Sequence, residues 1–176
     1  MKLKTILCLL GACVALPLLA QTPPSAEQMI EQLKAPPRTR SLRNLAVEAA
    51  PVPGAVGAAV PVPVRPSLSL LIQFDFNSAQ VRAESQQALA NLTQALQSAE
   101  LLSAKFAVEG HTDAKGNAAY NLKLSQQRAQ AVADFLKSKG VDEARLLAAG
   151  KGSAELANSE QPFAAENRRV RIVNLD

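Results

Sequence analysis

Tryptophan is absent from the 176 residues, tyrosine occurs once and phenylalanine five times. A surface that stacks sugars, bases or a flavin needs aromatic rings, so that class of binding is disfavoured. Cysteine is as scarce: Cys8 and Cys13 both lie in the first twenty residues. His111 is the one histidine. With no cysteine after position 13 and no second imidazole, a zinc site is not expected, and His111 reads as structural. There is no G-x-S-x-G and no nucleophile set beside a base, so no catalytic residue is assigned and no cofactor is expected. After residue 20 no further membrane span is expected. The formal charge is +4, but Lys2 and Lys4 supply part of it, and the remaining balance argues weakly for nucleic acid.

What is present begins with an export signal. Lys2 and Lys4 precede an apolar stretch from Ile6 to Ala20, broken only by Pro17. It is too short and wrongly flanked for a stable membrane span. Residues 1–20 are expected to be removed after Ala20, leaving a periplasmic chain without disulfides, held by its core alone. A second reading stays open: Leu10-Gly11-Ala12-Cys13 resembles a lipoprotein box, and lipidation at Cys13 would anchor the chain to a membrane.

Residues 21–50 form a polar tail with one short helix. Ser25 and Gln28 have capping-box spacing, Ala26, Met29, Ile30 and Leu33 share a face, and Pro36 and Pro37 stop it. Arg38, Arg40 and Arg43 follow, either a solvated basic run or a contact to anionic polymer or lipid headgroups. Residues 51–66 hold Pro51, Pro53, Pro61, Pro63 and Pro66, which predicts an extended, semi-rigid spacer.

Residues 67–176 carry the folded domain. The patterns predict strands over Leu68–Phe76, Phe106–Gly110, Leu146–Ala149 and Arg169–Leu175. They predict helices over Val81–Ser98, with Leu89, Leu92 and Leu96 inward, and over Ala118–Lys139, with Leu124, Val132 and Leu136 inward and Gly140 as the stop. The order strand, helix, strand, helix, strand implies crossovers, hence an α/β (α+β) fold with helices packed on a mixed parallel and antiparallel sheet. Asp142 and Glu143 read as solvent-facing loop residues.

The most informative segment is Gly110-His111-Thr112-Asp113, followed by Gly116, Asn121, Leu124, Ser125, Arg128 and Ala129. It spans the end of one strand and the start of a helix, a common ligand position. Asn121 and Arg128 are nearly two turns apart and share a face, which can come opposite Asp113 if Gly116 turns the loop back. Asp113 can hold an ammonium and Arg128 a carboxylate, a pair that fits a zwitterionic amino-acid end. The spacing alone fits a plain Asp113–Arg128 salt bridge equally well.

The run from Thr112 to Ala129, T-D-A-K-G-N-A-A-Y-N-L-K-L-S-Q-Q-R-A, resembles the signature of the OmpA-like C-terminal domain family. Phe74-Asp75-Phe76-Asn77 is similar to that family's first strand and its exit, and Asn167-Arg168-Arg169-Val170 to its last-strand entry. The three occur in the family's order. One departure stands out: between Gly152 and Asn167 the only proline is Pro162, so the loop before Arg168 differs from the usual pattern. The resemblance implies a noncovalent hold on the diaminopimelate of peptidoglycan stem peptides. Asp113 matches the ammonium-binding position and Arg128 the carboxylate-binding one. Asn121 and Leu122 match helping positions at the helix start, Asn77 and Arg168 match secondary contacts, and Thr112 shapes the loop. It also implies a place in the envelope beside the wall, at the inner side of the outer membrane, with envelope proteins as possible partners and a homodimer left open. An alternative is a protein–protein adaptor acting through the basic tail; another is an exported hydrolase, which would release muropeptides. Mass spectrometry of the protein from envelopes is expected to find Gln21 as the first residue. A first residue of Cys13 carrying lipid would replace the cleaved form with the anchored one.

Overall fold

The computed structural model describes residues 23–34, 65–75 and 77–176. The export segment with Cys8 and Cys13, the run at Arg38, Arg40 and Arg43, the prolines from Pro51 to Pro63, and Phe76 lie outside the described residues.

The elements are α1 (Ala26–Leu33), β1 (Ser67–Leu70), α2 (Gln86–Leu96), β2 (Phe106–His111), α3 (Ala118–Ser138), β3 (Leu146–Gly152) and β4 (Val170–Asn174). The sheet runs β1-β4-β2-β3. β2 and β3 are parallel, joined by the α3 crossover, while β4 lies antiparallel to both β1 and β2. The three helices pack on this mixed sheet, as the α+β expectation requires. Phe106, Val108, Val170 and Ile172 from the sheet meet Leu89, Leu92, Leu96, Val132 and Leu136 from the helices in one buried core. Leu124 is only half-buried, because it turns toward the pocket described below.

Local chemistry sets the ends of α3. The Asn117 side chain accepts from the Ala119 and Tyr120 N–H groups at 2.8 and 3.3 Å, satisfying two donors of the first turn. At the other end Gly140 takes φ +93°, the left-handed conformation that ends helices. Asp142 caps the turn that follows through the Ala144 N–H, and Glu143 pairs with Lys137; both carboxylates face solvent, as expected.

β1 is shorter than the predicted 68–76. β4 supplies partners only as far as Leu70, because β4 itself begins at Val170, just after the 3-10 turn Ala165–Asn167. The chain then departs: the Ile72 N–H turns back to the Leu70 carbonyl, and the Gln73 N–H donates to Ser85 Oγ at 2.7 Å. Phe74 bridges antiparallel to Val81, so Val81 cannot begin the helix predicted over 81–98. A 3-10 turn at Ala83–Ser85 leads into α2 instead.

The N-terminal helix forms as predicted, capping box included: Gln28 N–H donates to Ser25 Oγ, and Ser25 N–H donates to Gln28 Oε1. It is also part of the domain core. Met29 and Leu33 are fully buried in the same cluster as β1, α2 and β4. Asn91 donates to the Pro24 carbonyl at 2.8 Å ahead of α1. At its far end the buried Asn174 side chain donates to the Leu33 carbonyl at 2.9 Å, while the Asn174 N–H donates to the Pro66 carbonyl at 2.9 Å. One residue thus holds the exit of α1 and the entry to β1.

Truncating Leu33 to Ala removes a fully buried side chain and should lower the unfolding free energy by roughly 2–4 kcal/mol in urea melts. A change below about 0.5 kcal/mol, the size of a surface substitution, would show that α1 contributes nothing to the core.

Candidate functional site

The α3 backbone lies directly on the ends of β2 and β3. A Cβ built on Gly110 would meet the Ser125 carbonyl oxygen at 2.1 Å, and one on Gly150 would meet the Gln126 nitrogen at 2.6 Å. Only glycine permits this approach. Ser125, fully buried, completes the seam: its hydroxyl donates to the Leu122 carbonyl and accepts the Gly152 N–H, both at 2.8 Å. The start of α3 is therefore fixed against the carboxyl end of β2, where the chain runs through Thr112 to Asp113.

Asn121 is buried at 4% exposure, and its amide donates to the carbonyls of Asp113 (3.3 Å) and Lys115 (3.0 Å). It braces the loop that carries the acid. Asp113 Oδ1 accepts from the Lys115 N–H at 3.2 Å, and Oδ2 accepts from Arg168 at 2.8 Å. Asp113 is largely enclosed, while nearly half of the Arg168 side chain stays exposed.

Arg128 projects from α3, two turns beyond Asn121. Its Nε donates to the Ser78 carbonyl at 3.1 Å, and its guanidinium stacks 4.8 Å from the centre of the Phe74 ring. Burial pulls its pKa below the usual value; the Tyr120 hydroxyl nearby opposes this, Arg168 adds to it and Asp113 opposes it again. An arginine so placed remains charged. The salt bridge in this site is Asp113–Arg168; Asp113 and Arg128 instead line the walls of one cavity of about 540 Å³.

Five of the six residues singled out by sequence line that cavity: Asn77, Asp113, Asn121, Arg128 and Arg168. Leu122 does not. It is 52% exposed, and its carbonyl serves the glycine seam beside Gly150. Asn77 sits at φ +55° and accepts a hydrogen bond from the Tyr120 hydroxyl across the mouth. Tyr120, Phe74 and Lys115 are wall residues that the sequence reading passed over. The tyrosine was legible in principle, being the only one in the chain and one position before Asn121 on α3. Thr112 is buried, its N–H donating to the Gly152 carbonyl, in keeping with a loop-shaping role.

Arg168 owes its position to its neighbour. The fully buried Asn167 accepts the Asn158 N–H at 2.9 Å and donates to the carbonyls of Asn158 (3.2 Å) and Gln161 (2.9 Å). The Ala114 N–H donates to the Pro162 carbonyl, tying this loop to the loop of Asp113.

On the opposite sheet face, Glu109, His111 and Glu155 bring their ligand-type atoms within 4.8 Å of one another. Three cations crowd the same group: Lys151 and Arg171 reach both carboxylates, and Arg169 presses on the histidine. These carboxylates are thus already matched by protein cations. His111 is 2% exposed, and among the described residues neither ring nitrogen has a hydrogen-bond partner. Burial, and then the charge of Arg169, lower its pKa to about 4.

Comparison with known proteins places this geometry among relatives. The sequence profile of the OmpA family matches residues 73–170. Outer membrane protein A of Serratia marcescens is 44% identical over 84 residues, covering 48% of this chain and 23% of that protein. The peptidoglycan-associated lipoprotein of Brucella melitensis is 35% identical over 106 residues, covering 58% of this chain and 62% of that protein. The chain thus spans less than two thirds of each of these relatives. The crystal structure of the peptidoglycan-associated lipoprotein from Burkholderia pseudomallei superposes with a TM-score of 0.51 at 32% identity, over 60% of this chain and 88% of that one. The cell wall anchor of the T6SS from Pseudomonas aeruginosa superposes with a TM-score of 0.51 at 33% identity, over 62% and 80%. Among the described residues no helix is long and apolar enough to cross a membrane.

The His111 environment has a measurable consequence. Its folded pKa of about 4 lies below the ordinary 6.5, so between those values the unfolded chain binds a proton that the folded chain does not. Stability is full above about pH 6.5 and falls as the pH drops toward 4, by at most on the order of 3 kcal/mol from this group. Urea melts across that range should show a steeper loss for the parent than for His111→Gln. Equal slopes would remove the histidine from the acid response.

Proposed function

The chain belongs to the OmpA family, and from that premise we propose that it binds peptidoglycan noncovalently in the bacterial envelope, gripping the diaminopimelate of stem peptides. The observation that carries this reading is the polarised cavity, with Asp113 on one wall and Arg128 on another. The free end of diaminopimelate is a zwitterion, an ammonium and a carboxylate on one carbon. Asp113 takes the ammonium. A carboxylate offers about four lone-pair sites; the Lys115 N–H and Arg168 occupy two. Arg128, rooted through Nε on Ser78 and backed by Phe74, presents its fork to the ligand carboxylate. Asn121 holds the acid's loop at the right depth, and Asn77 with Tyr120 frames the mouth.

No bond is broken in this mechanism, and the chain acts as a binding module in the periplasm, beside the wall at the inner side of the outer membrane. Charge-assisted hydrogen bonds contribute about 1.5–3 kcal/mol each before the costs of ordering, so one stem peptide binds weakly. The wall repeats its ligand, and many weak contacts on one polymer give a firm hold when the protein is tethered or paired. The homologous lipoproteins whose names state peptidoglycan association support the reading.

The test is cosedimentation with purified sacculi. Asp113→Ala and Arg128→Ala should each weaken binding about 10- to 100-fold, the equivalent of one charge-assisted contact, with unchanged thermal melts. Undiminished binding by both folded variants would overturn the assignment, and release of muropeptides by the parent would replace it with a hydrolase.

A further inference from the structure

The sheet ends in two edge strands, β1 and β3, and they differ. β1 is four residues long, begins after Pro66 and leaves the sheet after Leu70. An edge that short offers little to pair with. β3 is seven residues long, with β2 on one side of it. Its first five residues, Leu146-Leu147-Ala148-Ala149-Gly150, carry no charge. Leu146 and Ala148 pack against the core, so strand alternation turns Leu147 to the helix-free face, where it is 60% exposed. An uncharged edge strand with an exposed leucine is a template for another strand.

The common means of blunting such an edge do not act on these five residues. They include no proline. The charge of β3, Lys151, is already paired with Glu109 and Glu155. A break in the register falls at the far end, where His111 pairs with Gly152. What stands at the edge is Gln126, an exposed residue of α3. Its Oε1 accepts the Gly150 N–H at 2.6 Å, and its Nε2 donates to the Ala148 carbonyl at 3.3 Å. β2 lies on the other side of β3, so these are groups that a further strand would use. One carboxamide thus makes the two bonds that a residue of a parallel strand makes with the residues flanking its partner. Farther along, Ser125 Oγ takes the Gly152 N–H at 2.8 Å, and the Thr112 N–H takes the Gly152 carbonyl.

We propose that Gln126 is an edge guard, standing in for a neighbouring strand and closing a surface on which a second copy of this chain would otherwise pair. A second copy fits because the edge is its own complement. Two β3 strands related by a two-fold axis normal to the sheet run antiparallel. Their helix-free faces then stay on one side, and the two Leu147 side chains cover each other. With Gln126 in place, the backbone groups at the middle of β3 are already satisfied, and the leucines remain apart.

The experiment is sedimentation velocity over a concentration series, on the chain as recovered from envelopes, with hydrogen exchange at the Gly150 amide as a second readout. Gln126→Ala puts a good helix former at an exposed position, and its thermal melt should stay close to the parent's. It should self-associate about tenfold more tightly than the parent, because two hydrogen bonds no longer compete. At dilution its Gly150 amide should exchange faster. Gln126→Met, of similar length but able to make neither bond, should behave in the same way. Adding Leu147→Lys to either variant should restore the parent's sedimentation, since two lysines would face each other across the pair. Parent-like association by both Gln126 variants, or association that survives Leu147→Lys, would sink the proposal. So would equal Gly150 exchange in parent and variants, a result that depends on no dimer.

Discussion

The α3 backbone rests on the backbone of β2 and β3 at Gly110 and Gly150, with no side chain between them. That contact distance fixes the height of Asn121 and Arg128 above the strand ends, and with it the depth of the cavity. A methyl group at either glycine would push the helix away. Ser125 bonds in both directions across the seam, so the helix cannot slide along the sheet without breaking buried hydrogen bonds. Each polar residue of the site is placed by this seam or by a loop hung from it: Asp113 through Asn121, and Arg168 through Asn167.

The two sheet faces handle charge differently. In the cavity, Asp75 and Asp113 line the same walls as Arg128 and Arg168, and the guanidiniums are held by a carbonyl, a ring and one acid. On the opposite face, Glu109 and Glu155 are matched by Lys151 and Arg171. The first arrangement is open to an anionic group. The second is closed on itself and encloses a neutral histidine. One residue, Thr112, lies between the two networks: Asp113 and His111 sit two positions apart in the chain and serve unrelated groups.

Much of this was legible in the sequence where pattern and punctuation agreed. α3 runs from Ala118 to Ser138 as its periodicity and Gly140 indicate, and Leu89, Leu92 and Leu96 face inward as their spacing indicates. Strand length was less legible, because a strand lasts only as long as its partner; β1 stops where β4 begins at Val170, a fact held by residues a hundred positions away. The docking of α1 was invisible for a similar reason: an apolar face on eight residues says that something is covered, but not what covers it. Asp113 and Arg128 were found as cavity residues, yet the ion pair to Arg168 across 55 positions was not. Its geometry depends on the irregular loop that Asn167 pins, and no periodicity describes such a loop.

Asn174 gathers the Leu33 carbonyl and the Pro66 carbonyl onto one side chain and its own amide. Whatever route residues 35–64 follow, they set out and return at a single point on the domain. Roughly thirty residues laid end to end would reach about 100 Å, but a detour adds nothing to the distance between its own feet. Asn174 pairs with Phe106 at the start of β2, whereas Asp113 follows the end of that strand, so the point where the chain passes into and out of residues 35–64 lies at the end of the sheet away from the cavity.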